Sequence, residues 1–215
     1  MAKLRVHNFS MSLDGYVAGP DQSLEDPLGV GAEALHEWIF ATPSGRAMLG
    51  EDRGDAVRSA DDDFFEAGDR NIGATIMGRN MFGPVRGEWG ASDWRGWWGP
   101  NPPYHHPVFV LTHHAHDPVE MEGGTTFHFV TDGIESALAR ATEAAGGRDI
   151  RLGGGASVVR QYLEAGLVDE LHLPVVPVLL GSGERIFTGD AHQLEGYTAD
   201  IVSSPAVAHV VFTRR

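Results

Sequence analysis

Short apolar blocks alternate with amphipathic stretches along most of the chain. The blocks are rich in Val, Ile, Leu and Phe, which predicts strands at 74–77, 108–111, 127–130, 150–152 and 168–176. Apolar residues recur at helical spacing in further segments, at 34–39, 134–145 and 159–167. Because strands that alternate with helices usually form a mainly parallel sheet with right-handed crossovers, the pattern predicts an α/β fold.

The N-terminal third has a weaker pattern. Alternating apolar residues from Leu4 to Phe9 predict an opening strand that ends in a turn at Asp14–Gly15, and a loop is predicted from there to about residue 31. Residues 42–63 are polar, acidic and poorly periodic, and we predict an exposed excursion. The acidic run at 61–63 is expected to begin a helix with its carboxylates in solvent, because negative charge suits a helix N-terminus.

The C-terminal segment departs from the alternation of strands and helices. Two apolar stretches, 199–203 and 207–213, flank Ser204–Pro205, which predicts an antiparallel hairpin at an edge of the sheet. Neither an internal repeat nor a shift in composition marks a domain boundary. We therefore predict one domain over residues 1–215, with a mainly parallel central sheet and a C-terminal antiparallel hairpin.

Composition and charge exclude several classes of function. The chain has 16 Lys and Arg against 30 Asp and Glu, a net charge of −14, which disfavours binding to nucleic acid. It has no Cys, which excludes thiol nucleophiles, iron-sulfur clusters and thiolate zinc sites. Lys3 is the only lysine, which excludes the usual phosphate-loop motif. No apolar run is long enough to span a membrane, and we expect a soluble, cytoplasmic protein.

The predicted strand at 150–152 runs into a glycine-rich loop that opens a helix. The loop comprises Gly153, Gly154, Gly155, Ala156 and Ser157. A helix N-terminus offers unpaired N–H groups and partial positive charge, and glycines let an anion approach the backbone, so the loop suits a pyrophosphate. It departs from the dinucleotide fingerprint G-x-G-x-x-G, because Val158 stands at the last glycine position. A tight strand-to-helix turn without a ligand is the alternative.

Two other predicted strands end in side chains that suit phosphate. These are Gly78, Arg79 and Asn80 after one strand, and Leu111, Thr112, His113 and His114 at the end of the other. Open α/β sheets bind ligands at the carboxyl ends of their strands. The planar guanidinium of Arg79 suits phosphate, and hydroxyl and imidazole groups add donors. Alternatively, Arg79 caps a helix or pairs with an acid, and the histidines are merely exposed.

Several segments, taken together in this order, resemble the dihydrofolate-reductase-like family. They are Ser12 to Ala18, Ala74 to Phe82, Val108 to His114, Arg151 to Leu173 and Val178 to Gly183. Within that family, the chain is most similar to the reductase domain of bacterial riboflavin biosynthesis. The resemblance covers nearly the whole chain and is specific as an ordered set.

The resemblance implies a three-layer dihydrofolate-reductase-like fold, an NADPH-dependent reductase, a small pyrimidine- or pteridine-like substrate and a homodimer. It implies that the glycine loop holds the pyrophosphate, that Arg79 and Asn80 contact the phosphates of the adenosine half, and that residues 112–114 surround its 2′-phosphate. Residues 14–18 would lie beside the nicotinamide. The implied cofactor-binding residues are Gly15, Val17, Ala18, Gly78, Arg79, Asn80, Leu111, Thr112, His113, His114, Gly153, Gly154, Gly155, Ala156 and Ser157.

Asp14 is our first candidate for a catalytic or substrate-orienting group. Reduction of C=N or C=O by hydride needs a proton source or a hydrogen-bonding group that fixes the substrate. The alternative is structural, since an Asp before Gly often bonds the backbone of its own turn.

An aromatic loop and a histidine cluster raise further hypotheses. Trp89, Trp94, Trp97 and Trp98 could wall a flat aromatic substrate, or could belong to the core or to a dimer contact. Histidines at 105–106 and 113–116 raise the hypothesis of a metal enzyme. We expect no metal, because adjacent strand residues point to opposite faces and H-E-x-x-H is absent. A nucleotide-binding or sensing protein without turnover is another alternative.

Overall fold

The structure is a computed structural model, and it describes residues 2–52, 57–83, 87–90, 93–189 and 192–215. The chain divides into two compact units. Unit 1 comprises Met1–Arg5 and Asn71–Val168, and unit 2 comprises Val6–Arg70 and Asp169–Arg215. The single domain over residues 1–215 stays a prediction.

The strands and helices follow one another along the whole chain. The strands are β1 (Leu4–Val6), β2 (Met11–Ser12), β3 (Tyr16–Ala18), β4 (Ile72–Gly78), β5 (Pro107–Leu111), β6 (Val119–Glu120), β7 (Thr126–Val130), β8 (Asp149–Gly154), β9 (Glu170–Val176), β10 (Glu184–Arg185), β11 (Tyr197–Ser203) and β12 (Ala208–Arg214). The helices are α1 (Glu37–Phe40), α2 (Pro43–Met48), α3 (Ala60–Ala67), α4 (Arg79–Phe82), α5 (Ile134–Ala145) and α6 (Ala156–Glu164), with 3₁₀ turns at Ala32–Leu35 and Glu122–Gly124. Among the described residues, every helix is too short or too polar to cross a lipid bilayer.

Unit 1 is built on a mainly parallel sheet. Its strands follow the order β1-β8-β4-β5-β7-β6, in which neighbours as far as β7 are parallel and β6 is antiparallel to β7. The helix α5 packs on β4 and β5 through Ala137, Ala141 and Ala145, which recur every fourth residue and are buried. The predicted α/β alternation is therefore confirmed in this unit.

The core of unit 1 is aliphatic and aromatic. A buried cluster joins β4, α4, β5 and β7 through Met77, Phe82, Val108, Val110 and Phe127. Phe82 and Phe127 meet edge to face, with ring centroids 5.0 Å apart, the arrangement that aromatic pairs prefer. Burial of apolar surface is therefore the main source of stability on this face of the sheet.

Unit 2 carries the longer antiparallel pairs. β12 pairs antiparallel with both β9 and β11, which confirms the predicted C-terminal hairpin and puts β11 at an edge. β2 runs parallel to β9, and β3 pairs antiparallel with β10. The predicted loop from Gly15 to about residue 31 is wrong at Tyr16–Ala18, because a strand this short is set by its partner and not by its own pattern.

The prediction of an exposed excursion at 42–63 is right for part of the segment: residues 47–52 and 57–60 are exposed, whereas residues 42–46, Asp61 and Asp62 are buried or half-buried. The segment contains α2 and the first turn of α3, and each helix begins at a side-chain hydroxyl that accepts a backbone N–H. Asp62 is 3% exposed, and its carboxylate accepts the N–H of Ser44 at 2.9 Å. Polar side chains that bond the backbone can be buried without apolar periodicity, which the sequence pattern does not reveal. Residues 53–56 lie outside the described residues.

A chain of buried hydrogen bonds joins α3 to β9 and β12. The N–H of Asn8 donates to Nδ1 of His172 at 3.3 Å, so the proton of this imidazole lies on Nε2, which donates to Nδ1 of His209 at 2.9 Å. Nε2 of His209 in turn donates to Oδ1 of Asp61 at 2.8 Å. Phe64 stacks on both imidazoles, with centroid distances of 4.9 and 4.1 Å. The acidic run therefore begins α3 as predicted, but Asp61 is not solvated.

Burial keeps both imidazoles of this chain neutral. Desolvation lowers the pKa of His172 to about 2, and the neighbouring His7 and His209 act in the same direction. Desolvation also lowers the pKa of His209, although the bond to Asp61 opposes the shift. Only the neutral form lets each nitrogen make its observed bond, because a protonated imidazole has no acceptor.

Candidate active site

Three parallel strands of unit 1 end side by side. Gly78 of β4 is in register with Leu111 of β5, and Met77 of β4 is in register with Gly154 of β8. The residues after these strands therefore lie at one edge of the sheet. This edge carries Gly78, Arg79, Asn80, Leu111, Thr112, His113, His114, Gly153, Gly154, Gly155, Ala156 and Ser157.

Glycines at this edge bring β4 close to α6 and leave space at the N-terminus of α6. A Cβ at Gly78 would stand 2.8 Å from Cγ2 of Val158 on α6, which excludes any side chain there without a shift. Gly154 has a φ of 135°, and the Gly154–Gly155 peptide bond is cis. At Gly155, apart from its own neighbours along the chain, no atom of the described residues lies within 4 Å of where a Cβ would stand. This residue caps α6 without a side-chain bond, so the helix opens onto space that an anion could fill.

Arg79 is the first residue of α4 and reaches toward the end of β5. Its Nη1 lies 3.4 Å from Oγ1 of Thr112, to which it donates. The centre of the guanidinium lies 3.6 Å from the centroid of the Trp89 ring, which is a cation–π contact. The side chain is half-buried, so its charge is held at the strand ends.

The turn after β5 is organised by a hydroxyl. Oγ1 of Thr112 also accepts the N–H of His114 at 3.1 Å. Nδ1 of His114 lies 2.9 Å from Oε1 of Glu88, whose side chain is almost fully exposed. His113 and Asn80 are exposed. The turn therefore offers a hydroxyl and an imidazole beside the guanidinium of Arg79.

The segment Gly87–Gly90 packs against this turn, a contact that the sequence analysis did not predict. Nε1 of Trp89 donates to the carbonyl oxygen of His114 at 2.9 Å. A cleft of about 490 Å³ is lined by Glu88, Trp89, Gly90, Ala115, His116 and Asp117. Only the clustering of Trp residues hinted at a role, because neither periodicity nor a motif marks the segment.

Other tryptophans of the aromatic loop pack on the core of unit 1. Trp94 and Trp98 contact the aliphatic and aromatic cluster described above. Nε1 of Trp94 donates to the carbonyl oxygen of Phe82, and Trp98 stacks on Phe127 with a centroid distance of 5.8 Å. Of the alternatives for this loop, the geometry favours core packing for these two residues.

Asp14 lies in unit 2, where it ties its own turn to the segment after β9. Its carboxylate accepts the hydroxyl of Ser12 at 2.6 Å and the N–H groups of Leu180 and Gly181 at 3.1 and 2.7 Å. These bonds, led by that of Ser12, lower the pKa of Asp14 to about 2. An ionised carboxylate cannot donate a proton, so the geometry favours the structural alternative, and a catalytic role stays a prediction.

The other predicted residues of unit 2 lie on or beside β3. Gly15 has a φ of 85°, a conformation that glycine adopts at no steric cost, and Val17 is buried. Ala18 is in register with Glu184 of β10, and the guanidinium of Arg185 lies 4.1 Å from the centroid of the Tyr16 ring. The pairing of β3 with β10 and the bonds of Asp14 brace this turn.

The histidines of unit 1 bond to separate partners. Nδ1 of His105 contacts the carbonyl oxygen of Gly123, and Nε2 of His106 contacts the hydroxyl of Thr75. Among the described residues, no three His, Asp or Glu side chains are grouped to hold a metal ion.

The sequence matches a known protein family over most of its length. The RibD C-terminal domain family matches residues 5–207. The chain belongs to this family. A curated relative, the uncharacterized protein YyaP of Bacillus subtilis, is 49% identical over 41 residues, which is 19% of this chain and 22% of that protein. The match thus spans about a fifth of the relative, which has no assigned activity.

Solved structures share the fold of this RibD C-terminal domain. A protein of Shewanella sp. PV-4, provisionally assigned to riboflavin biosynthesis, is 20% identical, with a TM-score of 0.59 over 100% of this chain and 99% of that chain. Dihydrofolate reductase of Enterococcus faecalis, in complex with NADP(H) and RAB-propyl, is 14% identical, with a TM-score of 0.54 over 99% and 96%.

A third structure is longer than this chain. The diaminohydroxyphosphoribosylaminopyrimidine deaminase/5-amino-6-(5-phosphoribosylamino)uracil reductase of Thermotoga maritima is 10% identical, with a TM-score of 0.53 over 100% of this chain and 57% of that one. These likenesses confirm the dihydrofolate-reductase-like fold. Two of these three structures are named as reductases.

Proposed function

We propose that this protein is an NADPH-dependent reductase that acts on a small pyrimidine- or pteridine-like substrate. The observation that carries the proposal is the convergence of three strand ends in unit 1, where Arg79, Thr112 and the open N-terminus of α6 meet. We also propose a homodimer, as in the riboflavin branch of the family, which sedimentation would test.

The donor set of unit 1 suits the phosphates of a dinucleotide. The space above Gly155 lets a pyrophosphate approach the first N–H groups of α6, where the helix dipole favours negative charge. Arg79 would bind the phosphates of the adenosine half, and Thr112, His113 and His114 would surround its 2′-phosphate. The guanidinium and hydroxyl are already joined at 3.4 Å, so little ordering is needed on binding.

The turn of unit 2 would serve the nicotinamide end. Gly15, Val17 and Ala18 would line the ring, with the turn braced by Asp14 and by the pairing of β3 with β10. When bound, NADPH would supply a hydride from C4 of its nicotinamide. The residues that line the ring would hold the acceptor beside C4 of the nicotinamide and exclude water.

A nucleotide-binding protein without turnover is the second candidate. The observation that favours it is the geometry of Asp14, whose carboxylate accepts bonds from Ser12, Leu180 and Gly181. These bonds lower its pKa to about 2, so it does not protonate a substrate near neutral pH. Reduction would then need a proton from water or from the substrate itself.

A turnover assay separates the two candidates. The absorbance of NADPH is followed with the protein and a panel of pyrimidine and pterin acceptors, and binding of NADPH is measured in parallel. Consumption of NADPH that depends on one acceptor supports the reductase. Saturable binding without consumption by any acceptor supports the binding protein, and absence of binding contradicts both.

A further inference from the structure

Trp89 stands outside the three strand ends but touches two of them. It contacts Arg79 after β4 through its ring and His114 after β5 through its Nε1–H. With the bonds of Thr112 to both of these residues, it closes a ring of four contacts. The tryptophan is therefore part of the structure that shapes the proposed phosphate site.

The contact with Trp89 fixes the orientation of the Arg79 guanidinium. A guanidinium binds phosphate through N–H groups that lie in its plane, whereas a cation–π contact uses its face. The indole at 3.6 Å sets the plane, and the bond from Nη1 to Thr112 sets the rotation within that plane. Together the two contacts orient the guanidinium.

The indole itself is held from several sides. Its N–H donates to the carbonyl oxygen of His114 at 2.9 Å. The rings of Phe82, Phe129 and His116 meet it edge to face, with centroid distances of 5.9, 4.9 and 4.9 Å. The ring is thus a rigid support for the arginine, and the same contacts fix the Gly87–Gly90 segment.

We propose that Trp89 is a positioning residue that sets the affinity of this site for a phosphorylated dinucleotide by orienting Arg79. The inference rests on the proposed function, since it takes the strand ends of unit 1 as a phosphate site. It assigns to Trp89 no contact with the ligand, and its whole effect passes through the guanidinium.

A double-mutant cycle tests whether Trp89 acts through Arg79. NADPH affinity is measured by calorimetry for the wild type, Trp89→Leu, Arg79→Ala and the double variant, with folding checked by thermal melts. Trp89→Leu should weaken NADPH binding about tenfold, because Arg79 loses its cation–π contact and also the ring that orients its guanidinium. In the Arg79→Ala background the same change should alter affinity less than about twofold.

Two further variants separate positioning from packing. Trp89→Phe keeps a ring face under the guanidinium and should recover most of the affinity. Trp98→Leu removes another tryptophan that packs on the same core cluster and should leave NADPH affinity within about twofold. A Trp98→Leu loss equal to that of Trp89→Leu, or an undiminished Trp89→Leu effect without Arg79, overturns the inference.

Failure of the proposed function gives a different result. If the wild type binds neither NADPH nor NADH, the proposed function is contradicted and the role of Trp89 falls with it. If the wild type binds NADPH and the two single-variant effects simply add, the proposed function stands and only the positioning role is contradicted.

Discussion

Both units have a buried apolar cluster, and unit 2 adds a chain of buried polar side chains to its own. In unit 1, α4 and the strands beside it share a cluster of aliphatic and aromatic side chains around Phe82 and Phe127. In unit 2, α3 is joined to β9 and β12 by the chain from His172 through His209 to Asp61, with Phe64 stacked on the imidazoles.

This difference has consequences for stability. An apolar core is insensitive to pH and loses stability in proportion to the surface and volume removed. A buried polar chain depends on every partner, since a lost member leaves desolvated groups without a bond. Single polar substitutions in unit 2 and acid should therefore lower the stability of the protein. Substitution of Arg79 in unit 1 should instead lower its affinity for NADPH.

The largest expected effect is on unfolding. His209→Leu should lower the free energy of unfolding by about 3 kcal/mol, because Nε2–H of His172 loses its acceptor and Asp61 loses its donor. Denaturant titration measures the loss. The matched control is His128→Leu on β7, a half-exposed residue of unit 1, which should cost at most about 0.5 kcal/mol. Equal losses of unfolding free energy in His209→Leu and His128→Leu would contradict the proposed difference between the units.

The next effect is on binding and belongs to unit 1. Arg79→Ala should weaken NADPH binding about tenfold to a hundredfold, because hydrogen bonds to charged groups contribute ~1.5 to 3 kcal/mol. Calorimetry measures the change. Arg140→Ala is the control, since it removes the same charge from an exposed position on α5 that pairs with Asp132. An unchanged affinity for Arg79→Ala would remove this arginine from the site.

Acid should act on unit 2. In the folded protein His172 stays neutral down to a pKa of about 2, whereas the unfolded chain takes up this proton near pH 6.5. The unfolded state therefore binds more protons below that pH, so the contribution is fully present above pH ~6.5 and is lost as the pH falls from there toward 2. Between pH 7 and 5, His172 should account for about 2 kcal/mol.

Comparison of two proteins measures this contribution. Denaturant titrations of the wild type and of His172→Phe at both pH values give the difference that belongs to His172. The wild type should lose more stability than the variant on acidification. Equal losses would show that this imidazole takes up its proton in the folded state.

The smallest expected effect concerns Asp14. The N–H groups of Leu180 and Gly181 bond different oxygens of Asp14, so Asp14→Asn keeps an acceptor for only one of them. The pairing of β3 with β10 still braces the turn, and NADPH affinity should stay within about threefold. Turnover, once an acceptor is known, should change as little. A large loss of turnover at unchanged affinity would instead restore Asp14 as a catalytic residue.

The sequence predicted the elements of unit 1 well because their signals are local. The pattern of α5 predicts a face of Ile134, Leu138, Ala141 and Ala145 that ends at Gly146. Ala141 and Ala145 are buried together with Ala137, and Gly146 ends the helix in the left-handed conformation. The strand ends at Gly78, Leu111 and Gly154 followed from apolar blocks that stop at glycine or polar residues.

Unit 2 was harder to predict because its polar residues have distant partners. His172 alternates with leucines in β9 and could as well face solvent, and its partner His209 is 37 residues away. Asp61 lies 148 residues from His209, and nothing local marks the pair. The contact of Trp89 with Arg79 was missed because no local pattern brings the Gly87–Gly90 segment back to the start of α4.

A paired titration with NADPH and NADH tests the central claim most directly. Tryptophan fluorescence follows both ligands, because Trp89 lies against the proposed phosphate site. We expect saturable binding of both, with NADPH at least about tenfold tighter, since the 2′-phosphate adds a charged partner for Arg79 and its neighbours. Equal affinities, or no binding of either ligand, would contradict it.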